Sequence, residues 1–401
     1  MAALNPDMAF IRAVNGAVGD SLKKCIQCGT CSATCALSPS DTPFPRKEMA
    51  RAGLGMKEAL ISSPDIWLCY QCNDCTRRCP RGARPGDVLA AIRKESILHF
   101  AAPRFMAEAV SHPKFLPLLF ILPAMLLGAA VFFRSTLQTA LHIAPSPDGD
   151  IVYAHSPFLP HWLLDIFFFS ISVLSLSVMT VGVLRFRRAM KKGAAASGSP
   201  VHIRSFRESL AIALKEILNH ERFSTCDASQ TKKIAHFCVS FGFVALTAVT
   251  LWVITSKINP LISSRFVYPF SFLSPFKILA NLGGAALLLG CAMMIWERLK
   301  PTAEGGKGTY FDWLFLLTLT IIVITGFATE ALHYLRITPH RHAVYFTHLV
   351  LVAALLLNLP FTKLAHMVYR AAALVFAARI GRETPHCSVA PTEKGEGRDP
   401  A

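Results

Sequence analysis

The sequence predicts an α-helical protein in two parts, a small cysteine-rich domain followed by a bundle of six membrane-spanning helices. Composition predicts the bundle, because 53% of the 401 residues are hydrophobic and only 16% are charged, against about 25% charged residues in an average soluble domain. The twelve cysteines predict the separate domain, because eight of them fall between Cys25 and Cys79. A purely soluble globular protein is therefore excluded.

The cysteine-rich domain is expected to occupy residues 1–105. Turn-forming residues at 38–46 predict a loop, 48–61 is a helical pattern, and 86–100 is expected to form a closing helix. The N-terminal stretch has no basic region followed by an apolar one, so nothing in it predicts export. We therefore expect the cysteines to stay in the reducing cytoplasm and to bind metal rather than form disulfides.

Cysteine spacing indicates which metal. The pattern C-x2-C-x2-C-x3-C occurs twice, and Pro80 follows the second copy. In two-cluster ferredoxins three close cysteines bind one [4Fe–4S] cluster and the fourth cysteine of each run binds the other cluster. The expected ligand sets are Cys25, Cys28, Cys31 and Cys79 for one cluster and Cys69, Cys72, Cys75 and Cys35 for the other. Two zinc sites are the alternative, but zinc motifs rarely contain a third C-x2 step.

Six apolar stretches follow, each close to the ~20 residues that a hydrocarbon core requires. They make up a predicted membrane domain at 106–380, with spans at about 115–133, 166–184, 237–256, 278–296, 313–329 and 343–362. Between the second and third spans, apolar residues at helical spacing predict an amphipathic segment at 205–223 that lies on the membrane surface. The polar tail, 383–401, is expected to be disordered.

Loop charge predicts the orientation. The loop after the second span opens with RFRRAMKK (185–192), whereas 135–160 contains no Lys or Arg. The positive-inside rule then places the cysteine-rich domain, the 185–233 loop and both termini in the cytoplasm of a bacterial or archaeal cell. This distribution explains the net charge of +16, and no nucleic-acid-binding motif competes with it, so nucleic acid is not an expected partner.

Histidines within the spans predict haem ligands, since an intramembrane His is costly and tends to be functional. On a continuous last helix, His348 and His366 would be about 27 Å apart, one near each surface. His236 opens the third span at the depth of His366, so these two are the expected ligands of an inner haem. His348 needs an outer partner, for which His333 is the first choice and His161 the second. An ordinary interfacial role is the alternative for each histidine.

These residues carry a family resemblance. The stretches CIQCGTCSATC and CYQCNDCTRRCPRGARPGDVLAAIRKE resemble the iron–sulfur C subunit of heterodisulfide reductases, and the spans resemble a haem b subunit of the nitrate reductase gamma type. In that type the last helix carries two haem ligands 18 residues apart, as His348 and His366 are, and another helix begins with a histidine, as at His236. A second histidine of that helix would fall at Leu246. The fusion of both parts resembles the membrane subunit, QmoC, of quinone-interacting membrane-bound oxidoreductases.

The resemblance implies two haems b and electron exchange between a menaquinone-type quinone pool and soluble partners. Those partners would be flavin–iron–sulfur subunits of heterodisulfide reductase A type (QmoA and QmoB), linked to adenylylsulfate reductase in dissimilatory sulfate metabolism. The residues by themselves imply less, namely an electron carrier between a lipid-soluble and a water-soluble partner. The chain contains no complete catalytic site for a soluble substrate, so it is expected to act as one subunit of an oxidoreductase complex.

Two alternatives stay open. The first alternative to a quinone-linked electron carrier is the fused membrane subunit of a heterodisulfide reductase-type complex. The second, in a different class, is a membrane anchor or transporter regulated by a ferredoxin domain. A transporter is expected to contain broken helices or charges near the bilayer midplane, and these spans contain almost no charge there.

Overall fold

The structure, a computed structural model, describes residues 5–39, 42–142, 155, 158–196, 198, 203–219, 230–258, 271–300, 308–337 and 339–382. The chain divides into a cysteine-rich unit (1–95, 187–228 and 369–401) and a membrane-type unit (96–186 and 229–368). The predicted fold class is confirmed, because the described residues form helices throughout and six of these helices are long and apolar enough to cross a membrane. The tail 383–401 and the end of the amphipathic segment, 220–223, lie outside the described residues.

Short helices joined by tight turns build the cysteine-rich unit. They are α1 (Met8–Val18), α2 (Ser21–Lys24), α3 (Thr30–Thr34), α4 (Arg46–Gly53), α5 (Lys57–Ile61), α6 (Asp65–Leu68), α7 (Asp74–Arg77) and α8 (Pro85–Phe100). Asp7 begins the first of them, since its side chain accepts a hydrogen bond from the Phe10 amide at 2.8 Å. The core contains Phe10, Phe44 and Trp67, all almost fully buried.

Two later segments of the chain pack into this unit, so it is not contiguous in sequence. The Tyr369 ring stacks on Trp67 with centroids 5.8 Å apart, and Arg382 forms an ion pair with the buried Asp65. Its first segment covers residues 1–95. These long-range contacts have no local signal in the sequence, and the predicted domain boundaries stay predictions.

The helices that follow α8 are longer and mostly apolar. They are α9 (Arg104–Ser111), α10 (Leu116–Phe132), α11 (Arg134–Ala140), α12 (His161–Ala196), α13 (Phe206–Asn219), α14 (Gln230–Ile258), α15 (Pro275–Leu299), α16 (Tyr310–Tyr334), α17 (Arg341–Asn358) and α18 (His366–Arg379). Each predicted span overlaps one of the six candidate membrane-spanning segments. Helix α13 matches the predicted amphipathic segment, and its apolar residues Phe206, Leu214 and Leu218 are exposed.

Glycines allow α14 and α15 to pack unusually closely. A Cβ atom on Gly242 would lie 2.4 Å from the carbonyl oxygen of Gly283, and one on Gly290 would lie 2.7 Å from the carbonyl oxygen of Ala235. Small residues at such positions let two helix backbones approach each other within a membrane. Helix α16 then packs beside α15, and α17 beside α16.

The last span differs from the prediction of a continuous helix. Helix α17 ends at Asn358, a 3-10 turn covers Leu359–Phe361, and Thr362 is fully extended with ψ 178° before a second 3-10 turn. Pro360 explains the break in part, because it lacks the amide hydrogen that a continuing helix needs. His348 and His366 therefore lie on different helices rather than on one continuous helix.

We expect Gly242→Val to destabilise the membrane-type unit by about 1–3 kcal/mol, because its clash with a backbone oxygen cannot be relieved by a side-chain rotation. Thermal unfolding of the full chain in detergent measures the effect. Gly128→Val is the matched control, since a Cβ atom there meets no atom within 4 Å. Equal melting temperatures for the two variants would contradict close packing of α14 on α15.

Candidate functional site

The two cysteine motifs fold into hairpins of the same shape. In the first, Gln27 has φ 58° and Gly29 has φ 87°, and Gly29 begins α3. In the second, Gln71 has φ 54° and Asn73 has φ 70°, and Asn73 begins α7. Left-handed backbone at two equivalent positions curls each C-x2-C-x2-C segment around a common centre.

Hydrogen-bond donors from each hairpin point at its first sulfur atom. The Gln27 side-chain amide donates to Cys25 Sγ at 3.3 Å, and the Gln71 backbone amide donates to Cys69 Sγ at 3.3 Å. Such donors stabilise thiolates and tune the reduction potential of a bound cluster. They fit an anionic iron–sulfur group.

The structure brings the cysteines together as two sets of four. One cavity is lined by Cys25, Cys28, Cys31 and Cys79, and a second is lined by Cys35, Cys69, Cys72 and Cys75. Each set combines three cysteines of one motif with the fourth cysteine of the other, as the spacing predicts. Ligation by these individual residues stays a prediction.

Each set of four cysteines matches the four thiolate ligands that a [4Fe–4S] cluster requires. Among the described residues, which include all eight of these cysteines, no three His, Cys, Asp or Glu side chains converge on one metal-ion position.

Burial differs between the two sites. Desolvation and the neighbouring Cys69 raise the pKa of the Cys35 thiol to about 12, and desolvation also raises the pKa of Cys75 well above its usual value. Cys28 is exposed, and the hydroxyl of Thr30 lowers the pKa of its thiol. Buried thiolates need a bound cation for charge compensation, and iron supplies it when the clusters are present.

Several residues that the sequence did not single out support the second hairpin. The guanidinium of Arg93 donates to the carbonyl oxygens of Ile66 (2.8 Å) and Cys69 (3.3 Å). Gly86 lines the second cavity, where a Cβ atom would lie 2.9 Å from Asn73 Oδ1 and 3.9 Å from Cys75 Sγ. The sequence signal for Gly86 was its place at the start of a helix, which does not reveal what that glycine approaches.

His348 is the most firmly held of the histidines. Its Nδ1 donates to the carbonyl oxygen of Ile322 (3.1 Å) and lies 3.1 Å from Thr325 Oγ1. Its ring packs against α16 at Gly326, where a Cβ atom would lie 3.2 Å from His348 Cε1. A carbonyl oxygen only accepts hydrogen bonds, so Nδ1 carries the proton and the lone pair is on Nε2, the state that a haem ligand requires.

His236 and His366 also have a polar partner at Nδ1. Nδ1 of His236 lies 3.4 Å from the hydroxyl oxygen of Ser240, and Nδ1 of His366 donates to the carbonyl oxygen of Lys363. His236 lies near the start of α14 and His366 follows the end of α17, so alternating helices place both at one end of the bundle. The turn before His366 is attached to α16 by an ion pair between Lys363 and Asp312.

The opposite end contains the two remaining candidates and a cluster that was missed. His333 contacts the Tyr334 ring edge-on, and His161 begins α12. His155 lies 3.4 Å from His342, Nδ1 to Nδ1, and stacks on Tyr345 with ring centroids 4.2 Å apart. His342 was not among the predicted candidates.

Leu246 and Glu330 both contact neighbouring helices, Leu246 through apolar packing and Glu330 through polar contacts. Leu246, at the position of the absent family histidine, packs against the apolar cluster of α15 and α16 that contains Leu287. Glu330 accepts a hydrogen bond from Asn281 and forms an ion pair with Lys277, each at 3.1 Å.

Comparison with known proteins agrees with the division of the chain. Residues 21–83 match the family described as 4Fe-4S dicluster domain, and residues 116–387, more than half of the chain, match the family described as citrate utilization protein B. The chain belongs to the citrate utilization protein B family. Citrate utilization protein B of Escherichia coli is 27% identical over 370 residues, which cover 88% of this chain and 89% of that protein.

Two further relatives match a shorter part of the chain and are heterodisulfide reductase C subunits or similar to them. The C subunit of the H(2):CoB-CoM heterodisulfide,ferredoxin reductase of Methanothermobacter marburgensis is 40% identical over 106 residues, 26% of this chain and 55% of that protein. An Archaeoglobus profundus protein that is itself similar to the heterodisulfide reductase C subunit is 36% identical over 76 residues, 19% of this chain and 40% of that protein. The chain thus spans about half the length of the first of these curated relatives. No solved structure matches.

These matches confirm one half of the predicted resemblance. The iron–sulfur domain is homologous to the C subunit of heterodisulfide reductases, and its family carries two [4Fe–4S] clusters. The membrane half belongs to the citrate utilization protein B family, and its assignment to the QmoC type stays a prediction.

The exchange of the fourth cysteine between sites is directly testable. In the full chain we expect about eight iron atoms from the clusters, and Cys79→Ala should alter the same EPR signal as Cys25→Ala. Cys35→Ala should alter the signal that Cys69→Ala alters. Cys291→Ala is the control, because this buried cysteine lies in the membrane-type unit, in the apolar cluster with Leu287. If Cys79→Ala instead altered the EPR signal that Cys69→Ala alters, the exchange of the fourth cysteine between the two sites would be contradicted.

Proposed function

We propose that the chain is a membrane electron-transfer subunit that passes electrons between membrane quinones and a soluble flavin or iron–sulfur partner, through haem b and two [4Fe–4S] clusters. The observation that carries the proposal is one chain that combines two four-cysteine cavities with six apolar helices that bear histidines, among them His348, whose ring is oriented by a hydrogen bond from Nδ1 to a backbone carbonyl. Homologues are named as subunits of oxidoreductases, which supports an electron-transfer role.

The histidines fit haem b in their chemistry. When bound, haem supplies a one-electron carrier that is stable in the hydrocarbon core. His236 and His366 are the proposed ligands of one haem and His348 of the other, with His333 or His161 as its partner. In His348 and His366 a backbone carbonyl engages Nδ1, which orients the ring and keeps Nε2 unprotonated.

The soluble partner is the less defined part of the proposal. The resemblance to QmoC favours heterodisulfide reductase A-like subunits of QmoA and QmoB type as the soluble partners. These subunits would exchange electrons with adenylylsulfate reductase, and menaquinone would be the lipid-soluble partner. The match to citrate utilization protein B over nearly the whole chain favours a second candidate, a soluble oxidoreductase of citrate utilization. Both candidates require the same electron path within this chain.

Substitutions can test the ligands of the two proposed haems one haem at a time. His236→Ala or His366→Ala should each remove about half of the haem b, because a two-haem protein would lose one site. Gly326→Val should perturb the other haem, since its side chain would displace the His348 ring, whereas Gly128→Val should leave both haems intact. Reduced-minus-oxidised spectra of the purified variants measure haem content.

Full haem content in His236→Ala and His366→Ala would contradict the ligand assignment. An absence of haem b bands in the unmodified protein would instead favour the anchor or transporter alternative and end the proposal.

The proposed orientation places the cysteine-rich unit and the 185–233 loop in the cytoplasm. A periplasm-active reporter fused after Gly193 should give no signal, and the same reporter fused within 135–160 should give a strong one. The reversed pattern would invert the topology.

A further inference from the structure

The two cysteine cavities differ in their surroundings. The first is lined by Arg46 and Arg81 and by no acidic residue. The second is lined by Asp74 and by no Lys or Arg, and its walls include the apolar side chains of Leu37, Phe44 and Leu89. One site thus has a basic rim and the other an apolar wall.

The first cavity also reaches the solvent. Cys28 is exposed, the Ile26 side chain beside it is 61% exposed, and Arg46, Pro80 and Arg81 at the rim are exposed as well. At the second cavity, Cys75 is buried. An electron leaving the protein into solution therefore has its shortest route at the first cavity.

Two further basic residues are sequence neighbours of cysteines that line this cavity. Lys24 directly precedes Cys25 and Arg78 directly precedes Cys79, and both side chains are exposed. Within the described part of the chain, neither these two residues nor Arg46 and Arg81 form an ion pair. Lys23 and Arg77, by contrast, are paired with Asp20 and Asp74.

Basic residues near the second cavity differ from those at the first because they are engaged in structural contacts. Arg93 donates to backbone carbonyl oxygens and Arg77 is paired with Asp74, whereas Arg46 and Arg81 at the first cavity are exposed and form no ion pair within the described part of the chain. A basic, solvent-facing rim around a redox centre attracts acidic partners and raises their rate of association.

We propose that Lys24, Arg46, Arg78 and Arg81, together with the exposed Ile26, form the docking surface for an acidic redox protein that exchanges electrons with the cluster of Cys25, Cys28, Cys31 and Cys79. This inference rests on the proposed function for the existence of a soluble partner, and it identifies where that partner binds and its charge.

Small redox probes of opposite charge test the surface in the intact holoprotein. The protein is held in nanodiscs of uncharged lipid, its clusters are reduced, and each cluster loses one electron to one molecule of ferricyanide or of hexaammineruthenium(III). The ferricyanide rate should fall as salt rises and the hexaammineruthenium rate should increase, because salt screens the attraction of one and the repulsion of the other. An acidic flavodoxin should behave like ferricyanide.

Charge reversal identifies the residues. Arg46→Glu with Arg81→Glu should slow ferricyanide about tenfold at low salt and accelerate hexaammineruthenium. Since these two residues line the cavity, Lys24→Glu with Arg78→Glu is a second variant that leaves the cavity lining unchanged. Arg12→Glu is the matched control, an exposed arginine of α1 that lines neither cavity. Iron content and EPR spectra verify that each variant retains both clusters.

Rates that are insensitive to salt, or equal effects of Arg12→Glu and of the rim variants, would overturn the inference. Loss of binding to phosphatidylglycerol vesicles with unchanged probe rates would also overturn it, because the surface would then face lipid. The proposed function fails separately: a protein without haem b, or one that quinol cannot reduce, would refute the electron path whatever the probe rates.

Discussion

The exchange of one cysteine between two hairpins is the constraint on which the cysteine-rich unit depends. Each cavity is complete only when Cys79 reaches the first hairpin and Cys35 reaches the second. The segment between the motifs must therefore fold back on itself, and α4, α5 and α6 form that return. Because neither cavity is complete without both hairpins, binding of one cluster stabilises the fold around the other.

The membrane-type unit follows a different physical rule. Lipid gives no hydrophobic advantage to contacts between helices, so close backbone packing and polar contacts must hold them. Gly242, Gly283 and Gly290 provide the close packing. The hydrogen bond from His348 to the Ile322 carbonyl and the ion pair of Lys363 with Asp312 provide polar contacts at the same positions where the candidate haem ligands are held. The same contacts therefore pack the helices together and hold the candidate haem ligands in place.

Local patterns in the sequence were sufficient for a large part of this description. The three leading cysteines of each motif lie within seven residues, so their convergence follows from spacing alone, and hydropathy located all six apolar helices. The break after Asn358 was only partly visible, because Pro360 signals a kink but not the extended Thr362 that separates His366 from α17. The partners of His348 and the contact between His155 and His342 depend on helix packing. The ion pair between Arg382 and Asp65 depends on the tertiary fold, and no local pattern in the sequence predicts it.

The central claim is that one chain connects a lipid-soluble electron carrier to iron–sulfur clusters. It is tested most directly by adding a menaquinol analogue to the full-length holoprotein in nanodiscs under anaerobic conditions, while haem b is followed by its absorption and the clusters by EPR. The account predicts that haem is reduced first and that cluster reduction follows in the same molecules. Clusters that stay oxidised while haem is fully reduced, or clusters that are reduced in a protein without haem, would contradict it.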